Sequence, residues 1–423
     1  MVLALAVSLR LFLRQFDIKT AFLYGELPKD QTVYLQPPKG VTVPAHHVLA
    51  LQRSMYGLKQ TSLQWNRHLH RTLTKLHFKR TPFDPCVYHR HDDDGSYIFL
   101  AVVVDDIITT STSPALYEAF YKQMSAVYNI KDLGEPARLV GLNIQKLPSG
   151  LAIDQNQFVK DIAKDFKQLD SKPVSTPIAR GDVPEGASPS LPPGHRYLSL
   201  VGSLLWSSLS RPDIAVAVSI ACSKSANPTK ADLTAAIRIL RYLLHTPHIK
   251  LQLIRSSNPV PLVATYVDTA WANAPKSRSR YGYIICVHGI PIYWETKITT
   301  MVCLSTAESE FVAAVHAAKS ALWLVNFAAT LCNIPVPAVT MFEDNQTCIK
   351  MTVNPVVSSR NRHFAMRMWW LRQKVEEGSI ALSYVETQHQ LADIFTKPLP
   401  KPLFIQLRDK IMSGTSLVPS SHL

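Results

Sequence analysis

The 423-residue sequence predicts an α/β fold, on a chain long enough for two or three domains. Three observations carry that expectation. Helical and strand-like patterns alternate over residues 1–180. A helical pattern holds from 197 to about 255. From about 256, strand-like runs lead into a strand–helix alternation of the kind that builds a mixed sheet. Hydrophobic residues make up 47% of the chain, enough for a sizeable core and too many for a disordered one.

The chain opens on MVLALAVSLRLFLRQFD, which reads as a buried helix. Arg10 and Arg14 interrupt its apolar run, no basic residue precedes it and no small-x-small site follows, so it does not read as a secretion signal. FDIKTAF and TVYLQPP are strand-like or turn-like, and Trp65, Leu69, Leu73 and Leu76 recur at helical spacing. IFLAVVVDDIITT, Ile98 to Thr110, reads as a buried strand, a turn and a second strand. Ser113-Pro114 opens a helix, with Ser as cap and a stripe of Leu116, Phe120, Met124 and Val127. Asp154 caps another, with Phe158, Ile162 and Phe166 on one face.

The Pro-, Gly- and Ser-rich stretch GDVPEGASPSLPPGH reads as a linker over 181–196. Pro228-Thr229 starts a helix carrying Leu233, Ile237, Leu240 and Leu244. VATYV, YGYIICV and PIYWET are strand-like. A long helix from Ser305, a strand at VTMF, more helix from 360, a strand at IALSYV and a short last helix follow. The tail, 401–423, is weakly patterned. No segment has the uninterrupted apolar length of a membrane span, so no membrane partner is expected.

The net charge of +14 and pI of about 9.4 favour a polyanionic partner, nucleic acid first and an acidic membrane surface second. Many soluble proteins are equally basic without one. The six cysteines show no CxxC and no Cys/His zinc spacing, and read as reduced thiols of an intracellular protein, cytoplasmic or nuclear.

Asp105 and Asp106 end the apolar run Ile98 to Val104. Each uncompensated ion in such a place costs roughly several kcal/mol. Divalent cations would offset that cost, Mg²⁺ first, with substrate phosphates completing the shell. Asp17, a polar intrusion in QFDIKTAFLYG, is the candidate third carboxylate. Three such acids suit a two-cation phosphoryl-transfer site. The plainer alternative makes Asp105-Asp106 a solvated turn and Asp17 a helix cap.

QFDIKTAFLYGEL, LQRSMYGLKQTSLQWN, VVVDDI, IKDLGEPARLVGLNI, PVSTPI, YLSLVGSLLWSSLSRPDIAVAV and AAIRILRYLLHTP occur in this order, followed by STAESEFVAA, EDNQTCIK, NPVVSSRNRH and QLADIFTKPL. Together they resemble the reverse transcriptase of Ty1/copia-type retrotransposon polyproteins, from about residue 2 to 410. The resemblance implies an α+β palm of a right-hand polymerase with the start of the thumb over 1–180. A helical connection over 197–255 and a ribonuclease H-like mixed α/β domain over 256–400 would follow. It implies Asp17, Asp105 and Asp106 as polymerase metal ligands and Phe22 as the aromatic gate that selects deoxynucleotides. Gly57 and Lys59 would lie near template and nucleotide.

The C-terminal acids read the same way. Asp268 ends VATYV, Glu310 lies on the helix from Ser305, Asp344 ends VTMF and Asp393 opens the last helix. Acids delivered by strand ends and helix starts suit a two-cation hydrolytic site. They match, in order, the four acids of ribonuclease H. Glu308 completes a capping box with Ser305, Glu343 reads as solvated, and His389 as a surface residue. Arg360, Arg362, His363, Arg367 and Arg372 form a basic, helix-spaced segment, either a solvated face or a contact to hybrid phosphates.

Three departures mark this sequence. Val103 stands where the family has Tyr, Ala270 replaces a second acid after Asp268, and Thr61-Ser62 replaces Ala-Pro. The family's fingers precede the first metal-binding Asp, so the resemblance implies an N-terminally truncated polyprotein fragment, with loss of polymerase activity as one expectation. The implied cofactor is Mg²⁺, two per site, with Mn²⁺ as substitute. The implied partners are RNA template, DNA primer, RNA–DNA hybrid, deoxynucleoside triphosphates and other polyprotein-derived chains. The rival reading is an inactive retrotransposon relic or a repurposed nucleic-acid-binding module.

Overall fold

The computed structural model describes all residues except 29, 31, 179–187, 355–364, 415–416 and 419–423. Helix and strand are mixed throughout. The chain divides into two compact units, Leu9–Val140 with Val2, and Gly141–Leu423 with Met1 and Leu3–Ser8. The opening apolar run is helical only over Val2–Ser8, and Phe12–Ile18 is already a strand.

In the first unit a six-stranded antiparallel sheet runs, by neighbour, Lys79–Arg80, Val87–His91, Tyr97–Val103, Asp106–Ser111, Phe12–Ile18, Ile130–Gly134. Side chains alternate faces along a strand. Phe16 and Ile18 point to the face that buries Trp65, Leu69 and Leu73 of helix Thr61–Lys75 and Phe120 and Met124 of helix Pro114–Ser125. Gln15 and Asp17 therefore share the opposite face. Asp17 is thus a strand residue and not a helix cap. Ser113 precedes a helix with Pro at its start, yet its hydroxyl makes no capping hydrogen bond, and Val127 is exposed because the helix ends at Ser125.

The second unit begins forty residues before the expected linker. Leu142–Leu147 and Gly150–Asp154 form a hairpin whose second strand pairs with Leu251–Ile254, so backbone hydrogen bonds tie this segment to the C-terminal half of the chain. Asp154 ends that strand, and its Oδ1 accepts the Asn156 N–H at 3.0 Å, at the start of helix Asn156–Asp165. Helices Tyr197–Ser207, Ala215–Ser223 and Lys230–Leu244 share one core with Tyr266, Ile284 and Phe342 of the main sheet, so residues 197–255 form no separate domain. Thr229 and Asp232 form a reciprocal capping box at the start of Lys230–Leu244.

The second unit's main sheet has five strands in the order Ile290–Ile298, Arg278–Val287, Val263–Ala274, Val339–Glu343, Ile380–Tyr384. The first three are antiparallel and the last two join in parallel. Helix Thr306–Cys332 lies against this sheet with seventeen residues buried. By length and composition alone it could cross a membrane. The sequence pattern hides this because Glu308, Glu310 and Lys319 interrupt the apolar run. The tail also differs from expectation. Lys401–Ser413 is a helix that buries Phe404, Leu407, Ile411 and Met412, a helical spacing diluted by its charged residues.

Gly282 sits where strand Arg278–Val287 meets the 3₁₀ turn Leu391–Phe395; a Cβ there would fall 2.4 Å from Phe395 Cβ. Gly282→Ala should therefore cost ~1–3 kcal/mol of unfolding free energy by overpacking. Gly202, in a helix with open space around it, is the control: Gly202→Ala should gain up to ~1 kcal/mol. Denaturant titration of both variants reads the difference.

Candidate active sites

Asp17 and Asp106 face each other across the antiparallel pair Phe12–Ile18 and Asp106–Ser111, on the face away from the helices. Gln15 donates from Nε2 to Asp106 Oδ1 at 2.9 Å, which orients that carboxylate. Asp105 lies in the two-residue turn between Val103 and Asp106, and its carbonyl accepts the Ile18 N–H at 2.9 Å. The other turn residue, Val104, has φ +59°, a strained backbone for a β-branched side chain. Trp65 Nε1 donates to the Val104 carbonyl at 2.6 Å and braces the turn from the helix side. Burial first, then Asp105 and Asp106, push the Asp17 carboxyl above its usual range, against Lys131 and Lys19.

Phe22 lies in the 3₁₀ turn Ala21–Tyr24, and its ring meets Tyr56 edge-on at 4.9 Å. Ser54 Oγ donates to the Phe22 carbonyl. Gly57, at φ +95°, and Lys59 are exposed.

The second site is tighter. Asp268 lies in strand Val263–Ala274, Glu310 in the second turn of helix Thr306–Cys332, and Asp344 just after strand Val339–Glu343. One carboxylate oxygen from each lies within 4.8 Å of the other two, and among the described residues no other group of three metal-binding side chains is gathered so closely. Asp268 and Glu310 are buried, and Glu310 Oε2 has no hydrogen-bond partner among the described residues. Burial first, then Glu343, Asp268 and Asp344, hold the Glu310 carboxyl well above its usual range. Asp268 is pushed up to about 7, by burial first and also by Asp393, with Lys397 opposing.

Asp393 comes from the turn Leu391–Phe395. Gln390 holds that turn in place: its Nε2 donates to the Val267 carbonyl at 2.9 Å and its Oε1 accepts the Ala392 N–H. Thr396 donates its hydroxyl to Asp268 Oδ2. Lys397 Nζ lies 2.7 Å from Asp393 Oδ1 and 3.6 Å from Asp268 Oδ2. Burial works against its charge, yet Asp268 and Asp393 keep its pKa above the usual value. The sequence pattern did not single out Gln390, Thr396 or Lys397, although all three sit in the QLADIFTKPL segment.

Glu343, expected in solvent, is fully buried at the end of its strand. Its Oε1 accepts the Asn345 N–H at 3.0 Å and its Oε2 has no partner among the described residues. The residue before Asp344 is the last on its strand, and its inward alternation outweighs its charge. Glu308 is also buried; its N–H donates to Ser305 Oγ and its Oε2 accepts the Leu304 N–H. His389 is half-exposed beside Glu386. Arg360, Arg362 and His363 lie outside the described residues. Arg367 is half-buried, with Nη1 3.0 Å from Met301 Sδ. Arg372 is buried and donates to the Met351 carbonyl, so it neither forms a solvated face nor reaches a phosphate.

Residues 1–180 match the family described as reverse transcriptase (RNA-dependent DNA polymerase). The transposon Ty5-1 protein of Saccharomyces cerevisiae is 31% identical over 70% of this chain and 97% of its own length. The chain belongs to the Ty1/copia-type retrotransposon reverse transcriptases. The retrovirus-related Pol polyprotein from transposon TNT 1-94 of Nicotiana tabacum is 31% identical over 95% of this chain. This reverse transcriptase chain spans only 31% of that polyprotein's length. The foamy viral protease–reverse transcriptase, solved with double-stranded DNA, aligns over 91% of this chain and 70% of its own, with a TM-score of 0.54 and 14% identity. That likeness is one of fold.

The raised carboxyls make a pH prediction for the metal-free protein. Groups that hold protons more tightly when folded stabilise fully below the unfolded pKa, about 4, and lose that contribution as pH rises through the folded value. For Asp268 that value is about 7. Thermal stability should fall between these limits, and fall less steeply in Asp268→Asn. Melting curves across that range, with and without Mg²⁺, check it; Mg²⁺ should restore stability at the upper end in the unsubstituted protein alone.

Proposed function

We propose that this chain is an RNA-directed DNA polymerase that also cleaves the RNA strand of RNA–DNA hybrids. The observation that carries the hydrolytic half is the close triad Asp268, Glu310 and Asp344 with an unpartnered buried oxygen on Glu310. A structural acid of the same unit is treated differently. Asp213 is buried, receives a bidentate pair of hydrogen bonds from Arg211 and a third from Tyr242, and its carboxyl is held below its usual range although burial opposes this. In the triad Asp268 accepts one hydroxyl, from Thr396, with the Lys397 ammonium 3.6 Å away, and Glu310 Oε2 has no partner among the described residues, so its donor set fits a hard divalent cation, Mg²⁺ with Mn²⁺ as substitute.

Bound there and at the first unit's tip, two such ions per site would supply Lewis acidity at phosphate oxygens and neutralise developing charge. Asp268, Glu310, Asp344 and Asp393 would hold them at the hydrolytic site, and Asp17, Asp105 and Asp106 at the polymerising one. Gln390 and Thr396 keep Asp393 and Asp268 oriented. In the first unit, Phe22 would pack under the incoming sugar and exclude a 2′-hydroxyl, its ring steadied by Tyr56. Gly57 and Lys59 offer an exposed backbone and a cation to template or nucleotide. Arg367 and the net charge of +14 support phosphate contact with RNA template, DNA primer and hybrid.

One gel tests both halves. A DNA primer on an RNA template, each strand with its own label, meets the protein, Mg²⁺ and deoxynucleotides, with the double variant Asp105→Asn, Asp344→Asn as control. Primer extension and template cleavage are expected, both absent in the control. Asp344→Asn alone should lower cleavage by more than ~100-fold, since residues that merely orient metal ligands are worth ~10–100-fold. Its hybrid binding should stay largely intact. A hybrid shift on a native gel with neither strand altered would favour a binding module instead.

A further inference from the structure

The acid cluster of the second unit is asymmetric. On one side, Asp268, Glu310 and Asp344 converge, and Glu310 Oε2 lacks any partner among the described residues. On the other side, the Lys397 ammonium bridges Asp393, at 2.7 Å, and Asp268, at 3.6 Å. Lys397 is four residues after Asp393, so the acid and its cation come from one short segment. A divalent ion the size of Mg²⁺ shared by Asp268 and Asp393 would need oxygens at roughly 2.0–2.1 Å, in the space this ammonium fills. Two cations there would also repel each other. The Lys397 side chain is 39% exposed, so it has a way out to solvent.

We propose that Lys397 is the resident cation of the Asp268–Asp393 pair. The site takes one divalent ion readily, at Asp268, Glu310 and Asp344, and admits a second only when Lys397 swings away. Lys397 is thus a positioning residue that sets the divalent concentration at which the second ion enters. This rests on the reading that the triad binds a divalent ion.

The test is calorimetric titration of the full chain with Mn²⁺, free of nucleic acid. The unsubstituted protein should bind one ion tightly and a second weakly. Lys397→Met, which keeps the stem and removes the charge, should tighten the second by roughly tenfold or more and the first by less. Lys397→Arg should behave like the unsubstituted protein. Equal second-ion affinity in the unsubstituted protein and Lys397→Met overturns the proposal but leaves the triad reading standing. A first ion unaffected by Asp344→Asn, or no ion at all, overturns both.

Acylation of the unsubstituted protein with acetic anhydride, mapped by mass spectrometry, needs no variant to fold. Lys397 should be protected relative to the exposed Lys401 without metal and with one equivalent of Mn²⁺, and lose protection only at concentrations that fill the second position. Acylation of Lys397 at the rate of Lys401 without metal overturns the proposal.

Discussion

Repulsion among buried carboxylates is the constraint around which the second unit is organised. Asp268, Glu310, Glu343 and Asp393 are all buried, and Asp344 is half-buried beside them. Such a gathering opposes folding, because each ion loses hydration and gains like-charged neighbours. It persists because each acid is delivered by an element held in place for other reasons. Asp268 belongs to the central strand of a five-stranded sheet, and Glu310 to a helix that buries most of its length against that sheet. Protonation and the Lys397 ammonium relieve part of the strain, and the proposed divalent cations would offset the rest.

The first unit meets the same problem with less burial. Its acids sit at the tip of a hairpin, half-exposed, and the strain there is carried in the backbone at Val104. Hydrogen bonds from Trp65 and Ile18 to the two turn carbonyls hold that geometry. A turn so braced keeps Asp105 and Asp106 beside Asp17 without needing their side chains to pair. Strained conformations of this kind survive only where neighbours over-determine them.

Much of the architecture was legible because periodicity reports burial directly. The helix carrying Trp65, Leu69 and Leu73 and the strands VATYV, YGYIICV and PIYWET are where their spacing places them. The misreadings share one cause, which is that local pattern does not reveal the partner. Nothing near Leu142 says that its hairpin will pair with Leu251–Ile254, a hundred residues later. Phe404, Leu407 and Ile411 have helical spacing, but surrounding Lys, Arg and Pro residues mask it.

By itself the sequence determined the chain's family and its mixed helix and sheet, because long motifs in one order constrain both. It placed Glu310 near a helix start and Asp344 at a strand end, whereas Asp268, expected to end its strand, lies in the middle of Val263–Ala274, and Asp393 lies in a 3₁₀ turn ahead of the last helix. Only the tertiary structure decided which acids meet. It drew Asp268, Glu310 and Asp344 to within 4.8 Å, buried Glu343 and Arg372, and set Lys397 between Asp268 and Asp393. Those outcomes depend on sheet register and helix packing across more than a hundred residues. A lysine beside an acid in sequence looks the same whether it faces solvent or a second carboxylate from a distant strand.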